Sequence, residues 1–351
     1  MRYTVFKFEQ DADQSSITYV DGLGFIAANN RIRYLRSLRR SSSFLCFLIL
    51  LYFLCDQILI RPFTYLGYYL GLDIQINAST GWITMSESAS LFIGLFVHFV
   101  SLLLPLALCS LFYRDRLFSM RIFTPAQRGV SLIAIPIMLA FGLLGEMIGA
   151  MIGDLSEIFG FFLRSQQNYH TMSDAAIWYT LFGVLLVAVL SEILIHGMAL
   201  TALRRYGDGF AVVCCAILSA LMTSNAISAV SMFVFSLCAG YFAIRGGSLR
   251  PILIARILRE LISFGFSIST IWLTDSLTKV IQIVTCLLIV AAAFLAYIHF
   301  IRLDANAFRL VHPNDRITNK LKFANFCSTF FFFLLVFRLI AKLIETVELI
   351  G

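Results

Sequence analysis

The chain has 351 residues, of which 60% are hydrophobic and 13% charged. Soluble domains carry roughly 45–50% apolar and about 25% charged residues, so this balance excludes an ordinary soluble domain. With 21 Gly and 6 Pro it is not a collagen-like or disordered chain either. The net charge of +7 does not signal nucleic acid, because basic residues gather in the cytoplasmic loops of polytopic membrane proteins. The class that remains is an all-α polytopic transmembrane helical bundle.

Residues 1–42 read as a basic N-terminal segment on the cytoplasmic side. The segment opens MRYTVFKFEQDADQSS, without an early apolar stretch, and no signal peptide is expected. A transmembrane domain is expected over 43–344, because a lipid-spanning helix needs about 20 apolar residues. The runs are 43–60, 91–112, 129–153, 175–200, 210–224, 229–244, 251–273, 280–301 and 323–340. Residues 345–351 are a short tail. The fifth and sixth runs are short and predict a tight hairpin around Ser224 and Asn225. The ninth is interrupted by Arg338 and Lys342, which leaves open whether it crosses.

Charge placement supports about nine spans with the N-terminus inside and the C-terminus outside. Under that topology the inside segments hold Arg2, Lys7 and the arginines of 31–40, then Arg114, Arg116, Arg121 and Arg128. They also hold Arg204 and Arg205, then Arg245 and Arg250, then Arg302, Arg309, Arg316, Lys320 and Lys322. The outer segment 61–90 carries Tyr65, Tyr68, Tyr69 and Trp82, which suits an interfacial aromatic belt or a short surface helix. Gly145, Gly149 and Gly153 form a small-residue ladder, expected to serve helix packing within the chain, with dimerisation as the alternative. The eight cysteines all lie in apolar runs without metal or redox spacing.

Ionisable residues inside spans are costly and are functional candidates by default. Here they are Glu146, Glu192, His196, Arg256, Arg259 and Glu260, with His98 and His299 as weaker cases. Glu192 and His196 are four apart, on one helix face, where a carboxylate can orient an imidazole or take a proton from water. Arg256 and Glu260 repeat that spacing, and Arg259 follows Arg256 by three. An inward-facing network of Glu192, Arg256, Arg259 and Glu260 is expected. Neither HExxH nor HxxxH occurs, so no metal and no cofactor is expected.

Residues 191–260 resemble the CPBP family, the intramembrane CAAX prenyl proteases and bacteriocin-processing "Abi" proteins. The family's EExxxRG motif corresponds to Ser191-Glu192-Ile193-Leu194-Ile195-His196-Gly197, where serine replaces the first glutamate and histidine the arginine. The FxxxH motif corresponds to Leu221 through Asn225, with Asn225 at the histidine. Gly247-Ser248-Leu249-Arg250-Pro251 is similar to the family's GSLxxPI segment. After it, Ala255 stands where a histidine is expected and Arg259 where an Asn or Asp is expected. The resemblance implies a CPBP-like core at about 175–301 and an ancestral chemistry in which glutamates and histidines activate water.

A degenerate member follows from these substitutions. A base paired tightly with arginine is a weak base. Ser191 is five residues from His196, diverging by about 140° on a regular helix, and lacks an orienting group. The leading expectation is a non-catalytic scaffold, chaperone or partner for a hydrophobic peptide or a transmembrane protein in the bacterial cytoplasmic membrane. The first alternative is an active endopeptidase using Glu192 and His196. The second is a transporter built on the Arg–Glu network. The expected surroundings are lipid, with no nucleic acid.

Overall fold

The computed structural model describes residues 16–20, 24–28, 30–76, 83–112, 128–158, 174–223, 226–303 and 318–348. The chain is a helical membrane bundle. The helices are α1 (Asn30–Tyr69), α2 (Glu87–Phe112), α3 (Arg128–Ile158), α4 (Asp174–Glu192), α5 (Leu200–Arg204), α6 (Asp208–Met222), α7 (Ala226–Gly246), α8 (Arg250–Trp272), α9 (Asp275–Leu303), α10 (Asn319–Phe326) and α11 (Thr329–Glu348). Two antiparallel hairpins accompany them: β1 (Ser16–Val20) with β2 (Gly24–Ala28), and β3 (Ile74–Ile76) with β4 (Ile83–Met85). The sequence pattern did not reveal these strands. Three to five residues are too few for alternation to stand out.

Among the described residues, six helices are long and apolar enough to cross a bilayer, or seven if α10 and α11, bent by 66°, form one broken span. The count of nine is therefore not reproduced by length and composition, for two different reasons. Helix α6 has 15 residues, about 22 Å at 1.5 Å per residue, against a hydrocarbon core of about 30 Å. Helix α8 has 23 residues, a full bilayer length, but carries Arg256, Arg259 and Glu260. Those charges turn inward while Ile254, Leu258 and Leu261 stay exposed, so α8 is apolar on one face only.

The first run lengthens at both ends, and Tyr65, Tyr68 and Tyr69 lie on the exposed last turns of α1 rather than on a separate surface helix. Helices α6 and α7 pack against each other, with ends at Met222 and Ala226; Ser224 and Asn225, where the tight turn is expected, lie outside the described residues. Arg338, which makes the ninth run look broken in sequence, is 6% exposed and donates to the Thr223 carbonyl at the end of α6, over the Phe53 ring.

Helix α3 lies along α7 and also meets α8 and α9. The glycine ladder explains the first contact. A Cβ on Gly145 would sit 2.7 Å from Ser231 Cα, and one on Gly149 2.7 Å from the Ile227 carbonyl oxygen. Without glycine these backbones would not approach. One core is built from α3, α7 and α8 around Met138, Phe235, Ala239 and Ala255. A second joins α1, α6 and α11 around Leu38, Phe210, Cys214 and Leu334. The candidate residues lie where α4, α7 and α8 converge.

Candidate functional site: a buried carboxylate and imidazole closed by arginine

Helix α4 ends at Glu192, and the next seven residues, Ile193–Ala199, form a π-helical turn with i→i+5 bonding. Such turns are rare and are frequent at functional sites. The turn also changes the geometry expected for Ser191 and His196, since wider winding brings residues five apart closer in angle. Ser191 is nonetheless taken up elsewhere: its hydroxyl donates to the Ala188 carbonyl at 3.0 Å.

Glu192 and His196 are 1% and 3% exposed. His196 Nδ1 contacts Glu192 Oε2 directly. The carboxylate only accepts, so the proton lies on Nδ1. On the other side of the ring, Nε2 faces Ser236 of α7, 3.0 Å from Oγ and 3.2 Å from the carbonyl oxygen. Ser236 is fully buried. Carboxylate, imidazole and hydroxyl thus stand in the order of a hydrolase triad. Sequence reasoning missed Ser236. It is one of several small residues in an apolar helix, and only the α4–α7 contact aligns it.

Helix α8 supplies the cations. Arg256 Nε lies 3.7 Å from Glu192 Oε1, an ion pair beyond hydrogen-bond length, and its Nη1 lies 2.7 Å from Glu260 Oε1. Arg259 does not reach Glu192. It donates to Glu146 Oε1 from Nε at 3.3 Å and Nη2 at 3.2 Å, and Nη2 also donates to Ser231 Oγ at 2.6 Å. Ser231 passes the chain on to the Gly142 carbonyl at 3.0 Å. Gly142 leaves room for the arginine stem, since a Cβ there would lie 3.1 Å from Arg259 Cδ. Both guanidinium groups lie over Phe235, at 6.0 Å for Arg256 and 5.4 Å for Arg259. In a low-dielectric interior such charges persist only when paired and hydrogen-bonded.

The other candidates fall outside this cluster. Ala255 is fully buried in the α3–α7–α8 core and offers no polar group. Asn225 lies outside the described residues. His299 is exposed on α9. His98 of α2 pairs with Asp56 of α1, Nδ1 to Oδ1 at 2.6 Å. Among the described residues no three His, Cys, Asp or Glu side chains stand close enough to hold a metal ion.

This arrangement defines a class: an intramembrane helical bundle with a buried acid–imidazole pair at a helix irregularity. Residues 173–262 match the family model described as Type II CAAX prenyl endopeptidase Rce1-like, so this stretch is similar to that family. The match covers about a quarter of the chain, from α4 through α7 into α8. No curated protein and no solved structure matches the chain.

Proposed function

We propose that this protease-related membrane protein has lost peptide hydrolysis and serves as a scaffold or partner for a hydrophobic peptide or a transmembrane segment. One observation carries the reading: Glu192 is sealed between His196 and Arg256, with Ala255 and Arg259 at the positions where the family resemblance expects a histidine and an Asn or Asp. A carboxylate held against a guanidinium and 1% exposed neither receives water nor accepts its proton readily. The setting we propose is the bacterial cytoplasmic membrane, with the N-terminus inside.

The test is proteolysis by purified protein in detergent. The substrates are a farnesylated CAAX-type peptide and an apolar peptide library, with Glu192→Gln and His196→Ala beside the wild type. The expected result is no cleavage above background by any of the three proteins. Cleavage by wild type that both substitutions abolish would sink the reading.

A second reading rests on the alignment of Glu192, His196 and Ser236. In it the hydroxyl attacks a carbonyl, His196 Nε2 takes its proton, and an acyl-serine forms with release of the amine. Against it stand full burial of Ser236 and its place inside α7, whose backbone amides are committed to the helix and supply no oxyanion hole.

A further inference from the structure

Away from Glu192, a cavity of about 340 Å³ opens between α3, α8 and α9. Its walls are apolar, among them Leu143, Met147 and Phe266, with two polar side chains, Glu146 of α3 and Gln282 of α9, and the Cys286 thiol of α9. A narrower void shares Leu143, Glu146 and Phe266 and runs back to Arg259 and Ser263. A mostly apolar cavity of this size with a few convergent polar groups is the usual form of a small-molecule site.

The polar groups say what it takes. The two hydrogen bonds that Arg259 gives Glu146 both go to Oε1, and Oε2 has no hydrogen bond among the described residues. The Glu146 side chain is 39% exposed, and it stands within a membrane-spanning helix. The ion pairs fall into two groups, Arg256 with Glu192 and Glu260, and Arg259 with Glu146. Glu146 is the carboxylate of these that faces the cavity, and its Oε2 points there without a donor. A carboxylate oxygen at lipid depth calls for a donor. Helix α9 is the least buried of the candidate spans, with 6% of its apolar window inside the bundle, so a lipid-borne molecule reaches the cavity sideways. A transmembrane helix, about 10–12 Å across with its side chains, does not fit within this volume.

We infer that this cavity binds a single-chain amphiphile with an ammonium head, the head donating to Glu146 Oε2 and Gln282 and the chain lying against Met147 and Phe266. The inference is independent of whether Glu192 and His196 hydrolyse anything.

Cys286 provides the readout. The full-length protein with Cys55→Ser and Cys327→Ser, purified in neutral detergent, is treated with N-ethylmaleimide, and modification of Cys286 is followed by mass spectrometry. Decylamine is expected to slow modification, and decanol and decanoate at equal concentration are not. In Glu146→Gln the half-protecting concentration of decylamine rises about tenfold, the equivalent of about 1.4 kcal/mol. If Glu146→Gln does not fold, Val290→Trp serves instead: it fills the cavity, leaves the charge network intact, and is expected to remove protection. Equal protection by all three compounds, or none by decylamine, overturns the inference. So does protection that survives Glu146→Gln or Val290→Trp. Protection by a lysine-bearing apolar helical peptide but not by decylamine overturns it in favour of a protein ligand.

Discussion

Arg259 holds one oxygen of Glu146 across the α3–α8 contact, at 3.2 and 3.3 Å, while Arg256, three residues earlier on the same helix, serves Glu260 and Glu192. Two neighbouring arginines are thus divided between two groups of carboxylates. The division makes the network separable by mutation.

Removing Arg259 alone strands a carboxylate inside the membrane. Breaking a buried pair costs about 3–5 kcal/mol, and because Glu146 is partly exposed the expected loss for Arg259→Met is about 2–3 kcal/mol. The double variant Glu146→Leu with Arg259→Met recovers at least half of it, since neither charge is left alone. Unfolding in sodium dodecyl sulfate, followed by circular dichroism, checks both. Equal losses in the single and double variants would show that the pair is not the source.

The glycine ladder gives a graded series. Gly145→Ala and Gly149→Ala drive a methyl group into backbone at 2.7 Å and should each cost about 1–3 kcal/mol, as overpacking does. Gly153→Ala meets only the end of the Ile227 side chain, at 2.9 Å, and should cost far less. Gly94→Ala has nothing within 4 Å and should be neutral or slightly stabilising. Thermal denaturation of the four variants in one detergent orders them. A flat series would remove the close α3–α7 approach from the account.

A fluorophosphonate probe addresses Ser236 directly. The purified protein is expected to take no label, and Ser236→Ala to lose about 1 kcal/mol of stability through the unpaired His196 Nε2. Labelling of the wild type that vanishes in both Ser236→Ala and His196→Ala would establish the serine-hydrolase reading and displace the scaffold.

Lys322 of α10 is 2% exposed and donates to the Tyr206 carbonyl at 2.8 Å. Tyr206 follows α5 at the corner where Gly207, with φ of 126°, lets the chain turn into α6. Tyr34 Oη also donates to the Tyr206 carbonyl, at 3.3 Å, and Ser37 Oγ meets Tyr206 Oη at 3.0 Å. Lys322→Met should therefore loosen α10 from α1 and the α5–α6 corner, at about 1.5–3 kcal/mol, the range for a hydrogen bond to a charged group. Lys322→Arg should not rescue, because a planar guanidinium does not fit the same closed position. The melting temperatures of both variants decide this.

Part of the site was legible in the residues. Spacing alone joins Glu192 to His196 and Arg256 to Glu260, because four residues make one helical turn and local geometry is inherited from the chain. The family resemblance likewise rests on local strings, and the matched stretch 173–262 contains them. Contacts between helices were not legible. Nothing in sequence pairs Glu146 with Arg259 or His98 with Asp56, and nothing selects Ser236 from the other serines. The two-sidedness of α8 also escapes an average over its length, which counts charges without their direction.

Composition and run length by themselves determined that this is a helical membrane protein, because a bilayer admits only backbone that satisfies its own hydrogen bonds. They also determined which few charges have to be explained, since ionisable groups are so scarce inside the runs. Tertiary structure decided which charge answers which. Pairing depends on helix approach, and helix approach is set by where glycines let backbones meet, as at Gly145 and Ser231. It also decided that Glu192 is closed off by Arg256 while Glu146 faces an open cleft, a difference that arises from packing around each carboxylate and not from the carboxylates themselves.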